Sequence, residues 1–148
     1  MRRSLHFVPG GNERMLAKAL TLPADGLILD LEDAVTPDKK AATRPIVRQW
    51  LESKDFGSRE RWVRMNPIYS EYGETDLEET IAGLPHGYVV PKPRHAGDIR
   101  RIAAVLPRRA VGPRLLPVAR ALRRLEGLRR PGPGVEVRSL RDISVRVH

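Results

Sequence analysis

The sequence predicts an α/β fold built on a parallel sheet, and three observations carry that reading. Short apolar runs alternate with helix-length segments in the order βαβαβαβαβ, a pattern that favours parallel strands joined by right-handed crossovers. Polar and charged residues gather after the strands rather than before them: Pro9-Gly10, the acids within 30–33, Arg64 with Asn66, and Lys92. In open α/β sheets and in barrels alike, ligands bind at that carboxyl edge. At 148 residues the chain suits one modest domain whose core closes without disulfides.

The elements follow in order. Leu5-His6-Phe7-Val8 is a strand stopped by Pro9-Gly10-Gly11, and Asn12 offers a cap for a helix over residues 13–20. A strand, a glycine turn and a helix start would aim backbone N–H groups at an anion; the same glycines also suit a plain tight connection. Pro23-Ala24-Asp25-Gly26 turns the chain into a second strand over residues 27–31. Pro37 and Asp38 then open a helix that reaches Leu51, with a break expected at Pro45.

The third strand, residues 61–65, stops at Asn66-Pro67, after which Thr75 or Asp76 is placed to cap a short helix ending at Leu84. A fourth strand over 87–90 runs into Pro91-Lys92-Pro93. The helix after it, residues 96–106, sets Ile99, Ile102, Ala103 and Leu106 on one face. Leu115-Leu116-Pro117-Val118 is the fifth strand.

The second strand matters most. Gly26-Leu27-Ile28-Leu29 runs straight into Asp30-Leu31-Glu32-Asp33-Ala34-Val35, so an apolar strand ends in three carboxylates within four positions. One reading makes these acids a loop that caps the next helix. The other continues the strand alternation, which points Asp30 and Glu32 to one side and Leu31 and Asp33 to the other, so that two carboxylates share a cavity.

Composition narrows the function classes. With no cysteine, thiolate catalysis, disulfide staples and cysteine metal sites are excluded, and the expected compartment is the reducing cytoplasm. The opening apolar run is too short for a signal-peptide core or a membrane span, so no membrane association is expected. The net charge of +9 is lopsided. Residues 1–100 hold 15 Lys and Arg against 15 Asp and Glu, whereas residues 101–148 hold 12 Arg, no Lys and 3 acids. All seven aromatic residues lie in the first 100. The Arg-rich tail would attract polyanions by charge alone, but no aromatic interleaves it to stack on bases.

Arg3-Ser4-Leu5-His6-Phe7-Val8-Pro9-Gly10, Asp30-Leu31-Glu32-Asp33-Ala34-Val35, Arg64-Met65-Asn66-Pro67 and Pro91-Lys92 occur in order and at workable spacing over residues 2–119. In these motifs the chain resembles the citrate lyase beta subunit-like family of the HpcH/HpaI aldolase superfamily. The resemblance implies a (β/α)8 TIM barrel that cleaves or forms carbon–carbon bonds in acyl-CoA esters of hydroxy acids, with Mg²⁺ and as a homo-oligomer. Carried over by motif, Arg64 would grip the substrate's carbonyl or carboxylate. Glu32 and Asp33, beside Asp30, would order waters on the metal or orient the substrate. Arg3, Pro9, Gly10, Asn12 and Lys92 would lie along the thioester and the CoA phosphates. Retro-aldol or retro-Claisen cleavage leaves an enolate, so the chemistry asks for a cation and fixed positive donors.

The departures are equally specific. The family places a metal-binding Glu directly after the fifth strand and an Asp ligand in a G-x-E-D-like motif after the sixth; here Ala119 is followed by Arg120-Ala121-Leu122-Arg123-Arg124. Glu126 comes about two helical turns late and Asp142 stands in no such motif, so both metal ligands are missing. At about 250 residues for a full barrel, this chain supplies a partial one of about four and a half βα units, residues 1–119, followed by a basic tail, residues 120–148. Such a sheet is expected to stay open, with its inward side chains wet and the fifth strand an edge, unless a helix carrying Leu122, Leu125 and Leu128 and a strand at Val135-Glu136-Val137 cover it.

Two accounts of the tail remain: a shift of reading frame in GC-rich codons near residue 119, or a truncated paralogue whose tail protects the sheet edge. Two function classes remain as well. One is an acyl-CoA lyase impaired by its missing ligands; the other is a non-enzymatic polyanion binder that uses the tail.

Overall fold

The computed structural model describes residues 4–106, 114–118 and 145–146. Five parallel strands appear where the apolar runs predict them: β1 (Leu5–Pro9), β2 (Gly26–Asp30), β3 (Glu60–Arg64), β4 (Gly87–Pro91) and β5 (Arg114–Val118). They lie side by side in chain order, so the sheet winds one way with no switch point. A strand with no counterpart in the sequence reading, β6 (Val145–Arg146), pairs parallel with the outer side of β1 and gives the order β5-β4-β3-β2-β1-β6.

The helices are α1 (Glu13–Ala19), α2 (Lys40–Ser53), α3 (Gly73–Thr80) and α4 (Ala96–Val105), with 3-10 turns at Pro37–Lys39 and Ile81–Gly83. Asn12 caps α1 as expected, its Oδ1 accepting from the Met15 amide at 3.0 Å. Two expectations need correction. Pro45 does not break α2, which runs through it from Lys40 to Ser53; Pro45 and Ala41 are both exposed, where water can serve the carbonyl that Pro45 leaves unbonded. Asp76 does not cap α3: it sits inside that helix with 0% exposure, held by partners from α2 and from the end of β3.

Strand alternation divides the core between the two faces of the sheet. Val8, Leu27, Leu29, Val63, Tyr88 and Val90 face the helices and pack with Leu16, Val47, Trp50, Leu51, Leu77, Ile99 and Ile102. On the other face Leu5, Ile28, Trp62 and Val89 form a second cluster with Phe7. None of these four is more than 1% exposed. The tail helix around Leu122 and the strand at Val135 lie outside the described residues, as does the join at 119. Among the described residues, no helix is long and apolar enough to cross a membrane.

Candidate active site

Register brings the motifs together. Pro9 is paired with Asp30, Asp30 with Arg64 and Arg64 with Val89, so the last positions of β1, β2 and β3 form one row at the carboxyl edge of the sheet, and β4 runs two residues further to Pro91. Partners in a parallel ladder share a face, which puts Arg64 beside Asp30 although 34 positions separate them in the chain.

Asp30 is the anchor. Its Oδ1 accepts from the Glu32 amide at 2.9 Å and its Oδ2 from the Ala34 amide at 3.2 Å, an Asx turn that ends β2 and curls the acidic residues over the edge. The same two oxygens take Arg64 as a fork, from Nε at 2.7 Å and from Nη2 at 2.5 Å. Asp30 is 1% exposed and its carboxylate is fully engaged, so it holds Arg64 in place.

Because the strand ends at Asp30, alternation does not continue into the turn. The expectation that Asp33 points away from Asp30 and Glu32 is therefore corrected: Arg64 Nη1 lies 3.2 Å from Glu32 Oε2 and 3.4 Å from Asp33 Oδ2. Only Leu31 turns inward, to the helical core. The Arg64 guanidinium also lies over the Phe7 ring, 4.7 Å from its centroid. Burial alone would lower the pKa of Arg64, but the Asp30 hydrogen bonds and the charges of Asp30, Glu32 and Asp33 outweigh it and hold the group above its ordinary value.

Lys92 completes the cluster from the end of β4. Its left-handed backbone, with φ of 45°, turns the exposed side chain back to the acids, 3.1 Å from Glu32 Oε1 and 3.9 Å from Asp33 Oδ1. The close contact with Glu32, then the charges of Glu32 and Asp33, raise its pKa. Glu32 Oε1 is buried and ion-paired with Lys92, and it has no other donor among the described residues.

The expected anion cradle is otherwise engaged. The Gly10 amide donates to the Asp30 carbonyl at 2.8 Å, and a Cβ on Gly10 would come within 2.7 Å of that oxygen and of Thr43 Cγ2, so this glycine serves a close backbone approach. Asn12 uses its side-chain oxygen on the α1 cap. Pro9 lies in the row of strand ends, and Arg3 lies outside the described residues.

Sequence reasoning missed the support beneath the turn. Lys40 reaches up from the start of α2 and donates from Nζ to the carbonyls of Leu31, at 2.9 Å, and Glu32, at 2.8 Å. Asn66 Nδ2 donates to the same Leu31 carbonyl at 2.9 Å and to Asp76 Oδ2 at 2.7 Å. A charged residue buried on the inward stripe of an amphipathic helix is the signal that could have found Lys40 and Arg44.

Among the described residues no group of three or more His, Cys, Asp or Glu side chains could hold a metal ion. Glu32 and Asp33 are matched instead by Arg64 and Lys92, which does not fit a divalent cation's own ligand set.

Comparison with known proteins gives a family and a fold. The model of the HpcH/HpaI aldolase/citrate lyase family matches residues 3–138, past residue 119 where the motif resemblance ends. A (3S)-malyl-CoA thioesterase of Cereibacter sphaeroides is 41% identical over 105 residues, which covers 71% of this chain and 37% of that protein. The citrate lyase subunit beta of Escherichia coli K12 is 38% identical over 98 residues, 66% of this chain and 32% of its own length. The chain thus spans about a third of the length of the curated relatives it matches. Among solved structures, the citrate lyase beta subunit of Mycobacterium tuberculosis, complexed with oxaloacetate and magnesium, superposes with a TM-score of 0.67 at 22% identity. That superposition covers 92% of this chain and 57% of the other, a likeness of fold.

Proposed function

The chain belongs to the HpcH/HpaI aldolase/citrate lyase family, and on that premise we propose that it carries the substrate-gripping part of a carbon–carbon lyase site for acyl-CoA esters of hydroxy acids, citryl-CoA or malyl-CoA in type. The observation that carries this reading is the Arg64 guanidinium. It is forked onto buried Asp30, backed by Phe7, and presents Nη1 between Glu32 and Asp33 at the sheet edge. A planar donor with its position fixed in advance suits a carbonyl or carboxylate that gains negative charge as the bond breaks.

In the proposed reaction the substrate hydroxyl gives up its proton and the adjacent carbon–carbon bond breaks. The products are a carbonyl compound and a thioester enolate, which then takes up a proton. Arg64 orients the oxygen that carries the charge. Glu32 Oε1, buried and short of a hydrogen-bond donor, is the acceptor that faces the hydroxyl or an ordered water. Lys92 and the β1 end lie along the path of the anionic CoA moiety, a small-molecule partner, and assembly as a homo-oligomer in the cytoplasm belongs to the same proposal.

Weak activity is part of it too. At the place after β5 where the motif resemblance puts a metal-binding Glu, the sequence has Arg120. No step here is routed through a metal.

The test is malyl-CoA turnover with and without Mg²⁺, with 2-oxo acid and free thiol measured in parallel. The chain has no cysteine, so a thiol reagent sees only released CoA. Slow release of 2-oxo acid that is lost in Arg64→Lys is expected. Free thiol without 2-oxo acid would replace cleavage by thioester hydrolysis, the reaction named for the Cereibacter relative. Neither product, from protein shown to be folded, would end the enzymatic reading.

A further inference from the structure

Beneath the acidic turn lies a chain of buried polar groups that none of the proposed chemistry uses. Lys40 is 7% exposed, Arg44 6%, Asn66 3% and Asp76 0%. Desolvation at such positions is costly, so each group has to be matched. Arg44 Nε donates to Asp76 Oδ1 at 2.7 Å, and Asp76 Oδ2 accepts from the Asn66 backbone amide and from Asn66 Nδ2, both at 2.7 Å. Asn66 and Lys40 then converge on the Leu31 carbonyl, and Lys40 alone continues to the Glu32 carbonyl. The path therefore runs from α3 and α2 to the backbone of the two residues between Asp30 and Asp33.

We propose that Lys40, braced by Asn66 and the Arg44–Asp76 pair, is the positioning residue that fixes the acidic turn, and through it Glu32, against Arg64 and Lys92. The inference rests on reading that turn as part of an acyl-thioester site. Its physical basis is that the Asx turn on Asp30 fixes the amides of Glu32 and Ala34, while the Leu31 carbonyl takes Asn66 Nδ2 and the Glu32 carbonyl takes the Val35 amide at 3.3 Å; the Lys40 ammonium, with three donors, adds a charged bond to each and ties the two carbonyls to α2. Burial lowers the pKa of Lys40 while the charges of Asp76, Asp30, Glu32 and Asp33 oppose the shift. Tyr72 covers it from the outside, with its ring centroid 5.5 Å from Nζ.

Amide hydrogen exchange resolved by residue tests the role without any assay of turnover. In Lys40→Met the Glu32 and Ala34 amides are expected to exchange about ten-fold faster or more, the loss expected for one charge-assisted hydrogen bond, while the Leu27 and Leu29 amides of β2 keep their protection. Should that variant not fold, Lys40→Gln, uncharged but still a donor, replaces it. Rescue is available because the chain has no other thiol: Lys40→Cys, alkylated in denaturant with bromoethylamine and refolded, regains an ammonium at nearly the same reach, and slow exchange should return. Unchanged exchange at Glu32 and Ala34, or equal acceleration throughout the sheet, overturns the proposal. A wild-type protein that cleaves no malyl-CoA would remove the lyase reading while the exchange result still decides the role of Lys40.

Discussion

The two ends of the same sheet handle charge in opposite ways. At the amino edge, charged side chains bond to backbone. Asp25 Oδ2 accepts the Ser4 amide at 2.7 Å, Arg59 Nη2 donates to the Leu22 carbonyl at 2.8 Å, and Arg61 Nη1 donates to the Leu51 carbonyl at 2.9 Å. These contacts tie loops to the sheet. At the carboxyl edge the charged groups of Asp30, Glu32, Asp33, Arg64 and Lys92 face one another, and one buried carboxylate oxygen, Glu32 Oε1, has no donor beyond Lys92 among the described residues. Both edges are rich in ions, but the first uses its charges to close the fold, and the second concentrates them where a ligand with its own charges can exchange partners.

The sharpest way to break this comparison is to remove one arginine from each end. Arg64→Met leaves Asp30 buried beside two amides without its cation, and a loss of about 3–5 kcal/mol is expected in urea denaturation. Arg61→Met gives up hydrogen bonds to carbonyls at a partly exposed position, so about 1–2 kcal/mol is expected. Equal losses at the two positions would mean that the edges do not differ in kind.

A smaller effect is expected from Gly10→Ala. The added methyl must displace the Asp30 carbonyl or the Thr43 side chain, each 2.7 Å away, for a cost of about 1–3 kcal/mol. Because the Gly10 amide bonds to the residue that anchors Arg64, this change should also lower any turnover. A variant with full stability and full activity would show that the β1 end does not shape the site.

The smallest effect is at Lys92, which is exposed. Its folded-state pKa is raised above the ordinary 10.5 by Glu32 and Asp33, so the stabilisation is fully present below the unfolded value and disappears as pH rises through the folded one. Lys92→Gln should therefore flatten the alkaline limb of a stability–pH curve and leave the curve between pH 5 and 8 parallel to that of the wild type. An unaltered alkaline limb would show that Lys92 does not sense the acids.

The amino-acid sequence by itself determined the elements and the edge on which the site lies. Short apolar runs, the Asn12 cap and the Ile99-Ile102 stripe are local patterns, and local backbone preference plus burial suffices to place them within a residue or two. The carboxylates of 30–33 and Arg64 were legible for the same reason, because each closes a strand whose direction the βα alternation fixes. Three things were decided only by the tertiary structure. Asp33 joined Glu32 because β2 ends at Asp30, where the Asx turn replaces pleat alternation. Lys40, Arg44 and Asp76 became buried polar partners, since pairing residues 32 positions apart depends on how α2 and α3 pack on the sheet. The pairing of β6 with β1 depends on which stretch of a long chain reaches an open edge, and no local pattern encodes that choice. Local chemistry selects the element; the energy of a buried charge is set by whatever packing brings beside it.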